Sequence, residues 1–414
     1  MLKITSSEAV ARRPAGESTL PALLCFSHLR WDFVYQRPQH LMSRFAQHRR
    51  VFYVEEPRFG DWDMGCDVTP REGGVRVVTP RLRRGLSESA RVEALRAMID
   101  NLVRVEDVTR FVAWYYTPMA LPWTRHLDAH FIVYDCMDEL SLFRAAPAEM
   151  VEREHELIAM VDVVFTGGAS LHEAKRTRSP HVHCFPSSVE ADHFRQARTQ
   201  QRDPIDQANV PHPRLGFAGV IDERMDLDLV DGIAAARPEW QLVMLGPVVK
   251  IDPAQLPRRA NIHYLGAKPY AELPAYMAGW DVALMPFALN EATKYISPTK
   301  TPEYLAAGLP VVSTAIRDVV NPYGAAALAR IGHTAQDFIG AIEDALAQPA
   351  DLRRQWLKRI DGFLSTMSWD RTHEGMAALI EPPDAVSRGA PEAVAISAKR
   401  AASTITRLDV ALEA

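Results

Sequence analysis

The stretch SPTKTPEYLAAGLPVVST, residues 297–314, places a lysine and a carboxylate at the start of a predicted helix. Thr301 can cap this helix, and Pro302 suits its first turn. A helix N-terminus offers unpaired N–H groups and partial positive charge to an anion, and Lys300 adds a full charge, which together suit a diphosphate. Glu303 lies where its carboxylate can accept hydrogen bonds from a pair of sugar hydroxyls. The alternative is that these side chains only cap the helix and that Lys300 is solvated.

A second cationic contact is predicted in the loop that follows the first strand of the carboxyl-terminal half. A diphosphate carries about two charges, and burying them against one lysine is unfavourable. In the segment from Gly219 to Arg224, the glycine permits close backbone approach and the arginine can hold phosphate oxygens in a bidentate contact. Lys250, in the loop after the next strand, is a further candidate. The alternative is that Arg224 pairs with Asp222 or Asp226.

The amino-terminal half offers a base for chemistry at a hydroxyl group. Asp135, Asp138 and Glu139 come directly after the predicted strand at residues 131–134. A carboxylate within hydrogen-bond reach of a hydroxyl can remove its proton as a new bond forms at the oxygen. The alternative is that an aspartate in this position only caps a helix.

A cluster of polar and aromatic residues follows the first predicted strand, at residues 22–28. It consists of His28, Trp31, Arg37 and His40. A loop in this position can contact both an acceptor and a donor, so these residues are candidates for positioning the acceptor. The alternative is that Arg37 simply starts the next helix, with Trp31 and His40 packed at its base.

The hydrophobic pattern predicts the elements that position these residues. Apolar runs that end in polar residues are typical of buried parallel strands. They alternate with helix-period stretches near residues 37–47, 88–105 and 148–160, so we predict an α/β fold with parallel sheets wrapped on both faces. The apolar runs lie at residues 22–28, 51–54, 111–115, 131–134, 161–165, 214–218, 240–245, 262–265, 281–285 and 310–313.

The composition indicates an ordinary globular protein with two domains. The chain has 414 residues, of which 47% are hydrophobic and 24% charged, and this length is too great for one compact core. Its 47 Lys plus Arg and 52 Asp plus Glu give a net charge of −5, so we expect no nucleic-acid partner. Four dispersed cysteines without a CxxC pair, together with the lack of a signal peptide or a long apolar run, predict a cytoplasmic protein.

Local charge suggests one further partner. Between Cys25 and Arg50 there are five arginines against one aspartate, a local charge of +4. Arg81, Arg83 and Arg84 form a second basic run. Such a face can attract an anionic membrane surface or a lipid-diphosphate acceptor. The alternative is that these arginines are solvated.

Two DxD-like pairs, Asp61 with Asp63 and Asp226 with Asp228, are the candidates for holding a divalent ion. Patterns of two residues arise easily by chance, and the basic residues described above can neutralise a diphosphate on their own. We therefore predict no metal and no cofactor. The first strand is not followed by a GxGxxG motif, and the chain has no Walker motif, which argues against a dehydrogenase.

The order of several segments resembles that of the group 1 glycosyltransferases, which have the GT-B fold. In the carboxyl-terminal half these segments are residues 261–266, Tyr270, residues 281–286 and the lysine-containing stretch 297–314. The amino-terminal segments resemble the teichuronic-acid-type subgroup of bacterial polysaccharide transferases and lie at residues 27–33, 36–41, 52–57 and 185–190.

This resemblance implies two Rossmann-like, doubly wound domains that face a central cleft. It also implies a nucleotide sugar and a glycan or lipid-linked acceptor as partners. The predicted organisation begins with a flexible leader (1–20), an acceptor-side domain (21–195) and a linker (196–213). A nucleotide-sugar-binding domain (214–367), a helix crossing back to the first domain (368–380) and a mobile tail (381–414) follow.

One position departs from the family pattern. Many retaining members carry two glutamates eight positions apart, the first near the donor sugar and the second on the ribose. Glu303 matches the second, but Tyr295 occupies the first place. The segment Ser297–Lys300, which contains Thr299, is instead similar to the segment with which xanthan-type glucuronosyltransferases hold the nucleotide and the diphosphate.

The xanthan-type enzymes also carry their base in a strand-end segment similar to residues 133–141, which implies that Asp138 is the base. We therefore predict a metal-independent glycosyltransferase that moves a sugar from a nucleoside-diphosphate sugar to a hydroxyl of a glycan or glycolipid in bacterial polysaccharide synthesis. Two alternatives stay open. A GT-B nucleotide-sugar epimerase would act without an acceptor, and a non-catalytic nucleotide-sugar binder is permitted by the missing first glutamate.

Overall fold

The computed structural model describes residues 3–6, 20–200 and 202–381. These residues form two sheets, each with its own helices, which we call the amino-terminal and carboxyl-terminal units. The strands of the amino-terminal unit are β1 (Lys3–Ser6), β2 (Ala22–Ser27), β3 (Val51–Glu55), β4 (Arg58–Gly60), β5 (Gly65–Pro70), β6 (Val75–Arg83), β7 (Phe111–Tyr115), β8 (Phe131–Cys136), β9 (Val163–Thr166) and β10 (Val182–Cys184).

The strand order of this sheet is β1-β5-β6-β3-β2-β7-β8-β9-β10, with β4 beside β6. All pairs are parallel except β5 with β6, which is antiparallel and departs from the predicted parallel sheet. The prediction missed it because these strands lie toward one side of the sheet and mix buried with half-exposed residues. The helices of this unit are α1 (Arg37–Phe45), α2 (Glu88–Val105), α3 (Leu121–Thr124), α4 (Met150–Met160), α5 (Ala169–Lys175) and α6 (Ala191–Arg195).

The carboxyl-terminal sheet is parallel throughout, in the order β13-β12-β11-β14-β15-β16. These strands are β11 (Arg214–Ala218), β12 (Gln241–Leu245), β13 (Ile262–Gly266), β14 (Val282–Met285), β15 (Val311–Thr314) and β16 (Ala329–Gly332). The remaining helices are α7 (Leu227–Ala236), α8 (Leu273–Ala278), α9 (Lys300–Ala306), α10 (Arg317–Val319), α11 (Ala335–Leu346), α12 (Ala350–Leu364) and α13 (Trp369–Ile380).

Both faces of the central strands are buried, which explains their continuous apolar runs. In β2, Leu24 and Phe26 enter one hydrophobic cluster, whereas Leu23 and Cys25 enter another on the opposite face. Successive side chains of a strand alternate between faces, so a strand covered on both sides must be apolar at every position. The α/β architecture predicted from the sequence is confirmed.

The leader was predicted to be flexible, but four of its residues form a strand. Lys3–Ser6 pair in parallel with Gly65–Val68 of β5 and extend the sheet by one edge strand. The pairing satisfies backbone hydrogen-bonding groups that a free leader would leave to water. Of residues 1–20, only this strand and Leu20 lie within the described part of the chain.

The polar segment 196–213 packs against the carboxyl-terminal unit. Ala197 and Val210 enter its hydrophobic cluster. Gln207 is fully buried and accepts a hydrogen bond of 2.9 Å from the indole N–H of Trp280. The segment therefore packs through a few buried residues, whereas most of its described polar residues are exposed.

The last described helix, α13, follows α12 and packs on the amino-terminal unit. Ser368 caps it by accepting a hydrogen bond from the Arg371 N–H at 3.1 Å. Trp369, Met376 and Ile380 enter a cluster of the amino-terminal core. The predicted mobile tail, 381–414, lies outside the described residues except for Glu381.

The arginines that were predicted to form a membrane-facing patch have partners inside the protein. Arg30 pairs with Glu55, Arg37 with Asp135, Arg44 with Glu190 and Asp370, and Arg49 with Glu381, and Arg50 donates to two backbone carbonyls. The local charge of +4 within residues 25–50 is thus largely balanced by residues distant in sequence, whereas Arg84 of the second basic run is exposed, so the membrane contact stays a prediction. No helix in the described ranges combines the length and apolarity that a bilayer crossing requires.

Candidate active site

A cavity of about 440 Å³ opens between the carboxyl ends of the two sheets. The strand order of the carboxyl-terminal sheet reverses between β11 and β14, and doubly wound sheets bind ligands at such a reversal. Gly219, which follows β11, and Thr299, Lys300 and Glu303 at the start of α9 line the cavity on one side. The loop of residues 31–36 lines it from the amino-terminal unit. The fold thus brings five of the predicted donor-binding residues together, since Arg224 also lines this cavity.

Lys300 is the first residue of α9, and its ammonium lies 5.7 Å from the ring centre of Phe217. Burial lowers the pKa of this ammonium, and the nearby Arg224 acts in the same direction. Among the described residues Lys300 has no ion-pair partner, so its charge is available to an anion in the cavity. Because α9 has only seven residues, this charge rather than the helix dipole would provide most of the attraction.

Thr301 was predicted to cap α9, and this prediction was wrong. The helix begins one residue before Thr301, and Thr299 occupies the capping position without a side-chain capping bond. Thr301 is buried, and its hydroxyl donates to the Met285 sulfur at 3.2 Å. The Thr301 hydroxyl therefore contacts β14 and does not cap the helix.

Arg224 does not present a free guanidinium to a phosphate. Its Nε and Nη2 donate to both carboxylate oxygens of Asp222 at 2.8 to 3.2 Å, which is the alternative considered above. The guanidinium still lines the cavity and lies 5.5 Å from the ring centre of Phe143 in the amino-terminal unit. Lys250 is exposed and lies 5.2 Å from the same ring, outside the residues that line the cavity. Arg224 is therefore not a free donor cation, whereas the role of Lys250 as a donor contact stays a prediction.

A smaller cavity of about 90 Å³ adjoins the first and contains Asp138. Thr299, Lys300 and Arg224 line both cavities. Burial raises the pKa of Asp138 to about 6, with Asp222 adding to the shift and Arg224 opposing it. A carboxylate with this pKa is ionised at neutral pH and is still basic enough to accept a proton.

A buried ion network holds the turn that carries Asp138. The Lys175 ammonium donates to Glu139 at 2.6 Å and to both carboxylate oxygens of Glu154 at 2.7 and 2.8 Å. Glu139 is therefore committed to the interior. Among the three carboxylates predicted as bases, Asp138 is the one without an ion pair in the described part of the chain.

Arg37 lines the 90 Å³ cavity that contains Asp138, so its acceptor-side role stays a prediction, whereas His40 lines neither this cavity nor the 440 Å³ cavity. Arg37 is 2% exposed and donates to Asp135 at 2.8 to 3.1 Å and to the Phe185 carbonyl at 2.7 Å. His40 is 1% exposed, and its ring stacks on Trp369 with 4.6 Å between ring centres. Burial lowers the pKa of His40. Arg37 therefore stabilises the interior of the amino-terminal unit, and His40 fixes the crossing helix to it.

The other two predicted acceptor-side residues remain near the cleft. Trp31 lines the larger cavity, and its backbone N–H donates to Glu55 at 2.8 Å. Burial, reinforced by Lys250, lowers the pKa of His28 to about 4, so this imidazole is neutral at pH 7. Its buried Nδ1 has no hydrogen-bond partner among the described residues.

Sequence reasoning missed an aromatic contact at the edge of the larger cavity. Tyr35 and Tyr270 come from different units and stack with 4.6 Å between ring centres. Both line the cavity, and the Tyr270 hydroxyl donates to Glu190 at 3.1 Å. The signal that could have revealed Tyr35 is the density of aromatic residues directly after the first strand. Tyr295, which occupies the place of the first glutamate in the family pattern, packs against the amino-terminal core and does not line this cavity.

Gly219→Ala is expected to weaken nucleotide-sugar binding about tenfold. Gly219 has φ +158°, and a Cβ at this position would lie 2.1 Å from Cε of Lys300, so the lysine would be displaced from the cavity. Calorimetry with the variant measures the effect. Gly232→Ala is the matched control, since nothing lies within 4 Å of its Cβ position. Equal affinities of the two variants would contradict the expectation.

Sequence comparison gives two matches. Residues 212–348 match the model of the family described as glycosyl transferases group 1. A curated relative from Bacillus subtilis (strain 168), the teichuronic acid biosynthesis glycosyltransferase TuaH, is 27% identical over 260 residues. The match covers 58% of this chain and 64% of the relative, slightly less than two thirds of its length.

Solved structures show the same fold at low sequence identity. The structure described as trehalose-6-phosphate from E. coli bound with UDP-2-fluoro glucose has a TM-score of 0.65 at 10% identity, over 87% of this chain and 99% of that chain. The crystal structure of WaaG, a glycosyltransferase involved in lipopolysaccharide biosynthesis, has a TM-score of 0.58 at 16% identity, over 87% and 99% of the two chains. The chain is therefore a GT-B protein with two Rossmann-like sheets, and its resemblance to the group 1 glycosyltransferases is confirmed.

Proposed function

We propose that this protein transfers a sugar from a nucleoside-diphosphate sugar to a hydroxyl of a glycan or glycolipid acceptor in polysaccharide synthesis. The observation that carries the proposal is that Asp138 of one unit and Lys300 of the other line the same small cavity. A base for the acceptor and a cation for the leaving diphosphate then act within one site. The similarity to TuaH and WaaG supports a cell-envelope glycan as the type of acceptor.

The proposed reaction is a single displacement at the anomeric carbon. The acceptor hydroxyl gives its proton to the Asp138 carboxylate while its oxygen forms the new bond to the anomeric carbon. The bond from that carbon to the diphosphate oxygen breaks, and the electron pair leaves with the nucleoside diphosphate. Lys300 stabilises the negative charge that develops on the leaving group. The product has the inverted anomeric configuration.

We propose that Glu303 binds the ribose of the nucleotide. Burial raises the pKa of Glu303 to about 7. At neutral pH a fraction of the Glu303 side chains is therefore protonated, and the average negative charge that faces the ribose hydroxyls is smaller than that of a fully ionised carboxylate. Glu303→Gln is therefore expected to weaken binding of the nucleotide sugar and of the bare nucleoside diphosphate by a similar factor, about tenfold. Calorimetry with both ligands tests this. A loss of transfer with unchanged affinity for both would reassign Glu303 to the sugar.

We propose that the reaction needs no metal ion. One aspartate of each DxD-like pair has another contact: Asp226 accepts the Leu229 N–H at 2.8 Å as the cap of α7, and Asp63 pairs with Arg83 at 3.3 Å. Lys300 is the cation available to a diphosphate in the cavity, and Arg224 lines the same cavity while it is paired with Asp222. Unchanged transfer after treatment with a chelator would support the proposal, and loss of activity that Mg²⁺ restores would contradict it.

Two measurements test the proposed function. A thermal-shift panel of UDP-, GDP-, ADP- and dTDP-sugars identifies the donor, and release of nucleoside diphosphate with and without acceptor then identifies the reaction. Acceptor-dependent release is expected. Conversion of the sugar nucleotide without an acceptor would favour an epimerase, and binding without turnover would favour a non-catalytic binder.

A further inference from the structure

A second cavity, of about 280 Å³, lies wholly within the amino-terminal unit. It is bounded by the residues that follow β2, β3 and β7 and by helices α2 and α4. The proposed donor site does not include it. Its apolar lining includes Val92, Leu95, Met119 and Trp123.

Two arginines in this apolar lining lack any counter-charge. Arg91 projects from α2 and Arg153 from α4, and both line the cavity. The Nε atom of each is buried and has no hydrogen-bond partner. In the described part of the chain neither guanidinium takes part in a hydrogen bond or an ion pair.

Arg91 and Arg153 are half-buried, and they differ from the buried Arg37 and Arg49 in having no ion pair among the described residues. Arg37 pairs with Asp135, and Arg49 with Glu381. The Nε–H group of each is withdrawn from water, which is unfavourable unless an acceptor satisfies it. An oxyanion between Arg91 and Arg153 would supply such acceptors, because the fork of the guanidinium matches phosphate and carboxylate oxygens.

Carboxylates also border the cavity, and none of them neutralises the arginines. Glu55 is buried and pairs with Arg30 at 3.0 Å. Glu56, Glu88 and Glu149 are exposed. Carboxylates at the opening suit hydroxyl groups, which donate hydrogen bonds to them.

The second cavity lies at the same edge of the sheet as Asp138. Its lining includes Ser27, Glu55 and Thr117, at or just beyond the carboxyl ends of β2, β3 and β7, and Asp138 follows the neighbouring strand β8. Lys250 of the carboxyl-terminal unit acts electrostatically on Glu56 at the edge of this cavity. The same ammonium acts on His28 and on Asp138. An acceptor bound in the second cavity can therefore extend along this edge of the sheet toward Asp138.

We propose that this cavity binds the acceptor through an oxyanion held by Arg91 and Arg153, next to an apolar group packed on Leu95, Met119 and Trp123. The proposal rests on the function proposed above and names its acceptor class, an amphiphile with a phosphate or carboxylate beside its apolar part. The acceptor hydroxyl lies at the open end, toward Asp138.

Calorimetry with simple amphiphiles tests the site without the natural acceptor. Octyl phosphate is expected to bind the parent protein at least tenfold more tightly than octanol, which lacks the oxyanion, and than inorganic phosphate, which lacks the alkyl chain. Octanoate distinguishes a carboxylate-selective from a phosphate-selective site. The Arg91→Gln/Arg153→Gln variant should lose at least tenfold in affinity for octyl phosphate. Arg84→Gln/Arg176→Gln is the matched control, since both arginines are exposed and lie outside the cavity.

Three outcomes would overturn the proposal. They are equal binding of octyl phosphate and octanol, parental affinity in the Arg91→Gln/Arg153→Gln variant, and an equal loss in the surface control. Should the double variant fail to fold, Val92→Phe gives an independent test, because it narrows the apolar part of the cavity. It should weaken binding of octyl phosphate and leave that of inorganic phosphate unchanged, and parental affinity for octyl phosphate would count against the site.

Donor binding measured on the same proteins separates this proposal from the function on which it rests. The Arg91→Gln/Arg153→Gln variant should bind the nucleotide sugar as the parent does, because neither arginine lines the donor cavity. Donor binding without arginine-dependent binding of octyl phosphate overturns the acceptor site alone. Arginine-dependent binding of octyl phosphate in a protein that binds no nucleotide sugar overturns the transferase function and leaves the oxyanion cavity in place.

Discussion

Asp138→Asn is expected to lower the rate of sugar transfer about 100-fold or more and to leave the affinity for the donor unchanged. Asparagine has nearly the shape of aspartate but cannot take the proton of the acceptor hydroxyl. The fold should tolerate the change because Asp138 has no ion pair among the described residues. Product formation and calorimetry on the same preparation measure the two effects separately.

The pH dependence of transfer provides a second measurement on Asp138. Burial raises the pKa of its carboxyl group to about 6, and only the ionised form can act as a base. Transfer by the parent protein should therefore decrease as the pH falls through about 6 and level off above it. The residual activity of the Asp138→Asn variant should not show this dependence.

Asp61→Asn is a suitable control for the Asp138 variant, because Asp61 is exposed and lines neither the 440 Å³ nor the 90 Å³ cavity. It should transfer sugar at the parental rate. Near-parental transfer by Asp138→Asn, or a product that keeps the anomeric configuration of the donor, would contradict the role of Asp138 as the base of an inverting displacement.

Lys300→Ala is expected to weaken binding of the nucleotide sugar roughly 10- to 150-fold. This range corresponds to the loss of a charge-assisted hydrogen bond to the diphosphate, worth about 1.5 to 3 kcal/mol. The folded protein should tolerate the substitution, because the ammonium is not committed to an ion pair within the described residues and burial already lowers its pKa. Calorimetry with the nucleotide sugar and with the nucleoside diphosphate measures the change.

Lys294→Ala is the matched control for the Lys300 variant. Lys294 precedes the same helix, but its side chain is 54% exposed and lies outside the lining of both cavities. Its removal should leave donor affinity unchanged. An unchanged dissociation constant in Lys300→Ala itself would remove Lys300 from the donor site and leave the diphosphate without its main cation.

The elements that were best predicted from the sequence are those in which the local pattern of hydrophobic residues matches the pattern of buried positions. The predicted strand 111–115 is β7, and the predicted helix 88–105 is α2. The region from β4 to β6 was not predicted, because its strands alternate buried with half-exposed residues and include Arg81 and Arg83. Such strands lack the continuous apolar run of a central strand covered on both faces.

The sequence by itself determined which strand ends and helix starts carry Gly219, Lys300 and Asp138, because the alternation of strands and helices places loop residues at the carboxyl edges of the sheets. Only the tertiary structure decided which charged residues remain available there. Arg37 is paired with Asp135, 98 positions away, and Arg224 with Asp222, whereas Lys300 keeps its charge for a ligand. The physical reason is that the state of a charged side chain depends on its burial and on the distance to its partners, and residues that meet in space can be far apart in the chain.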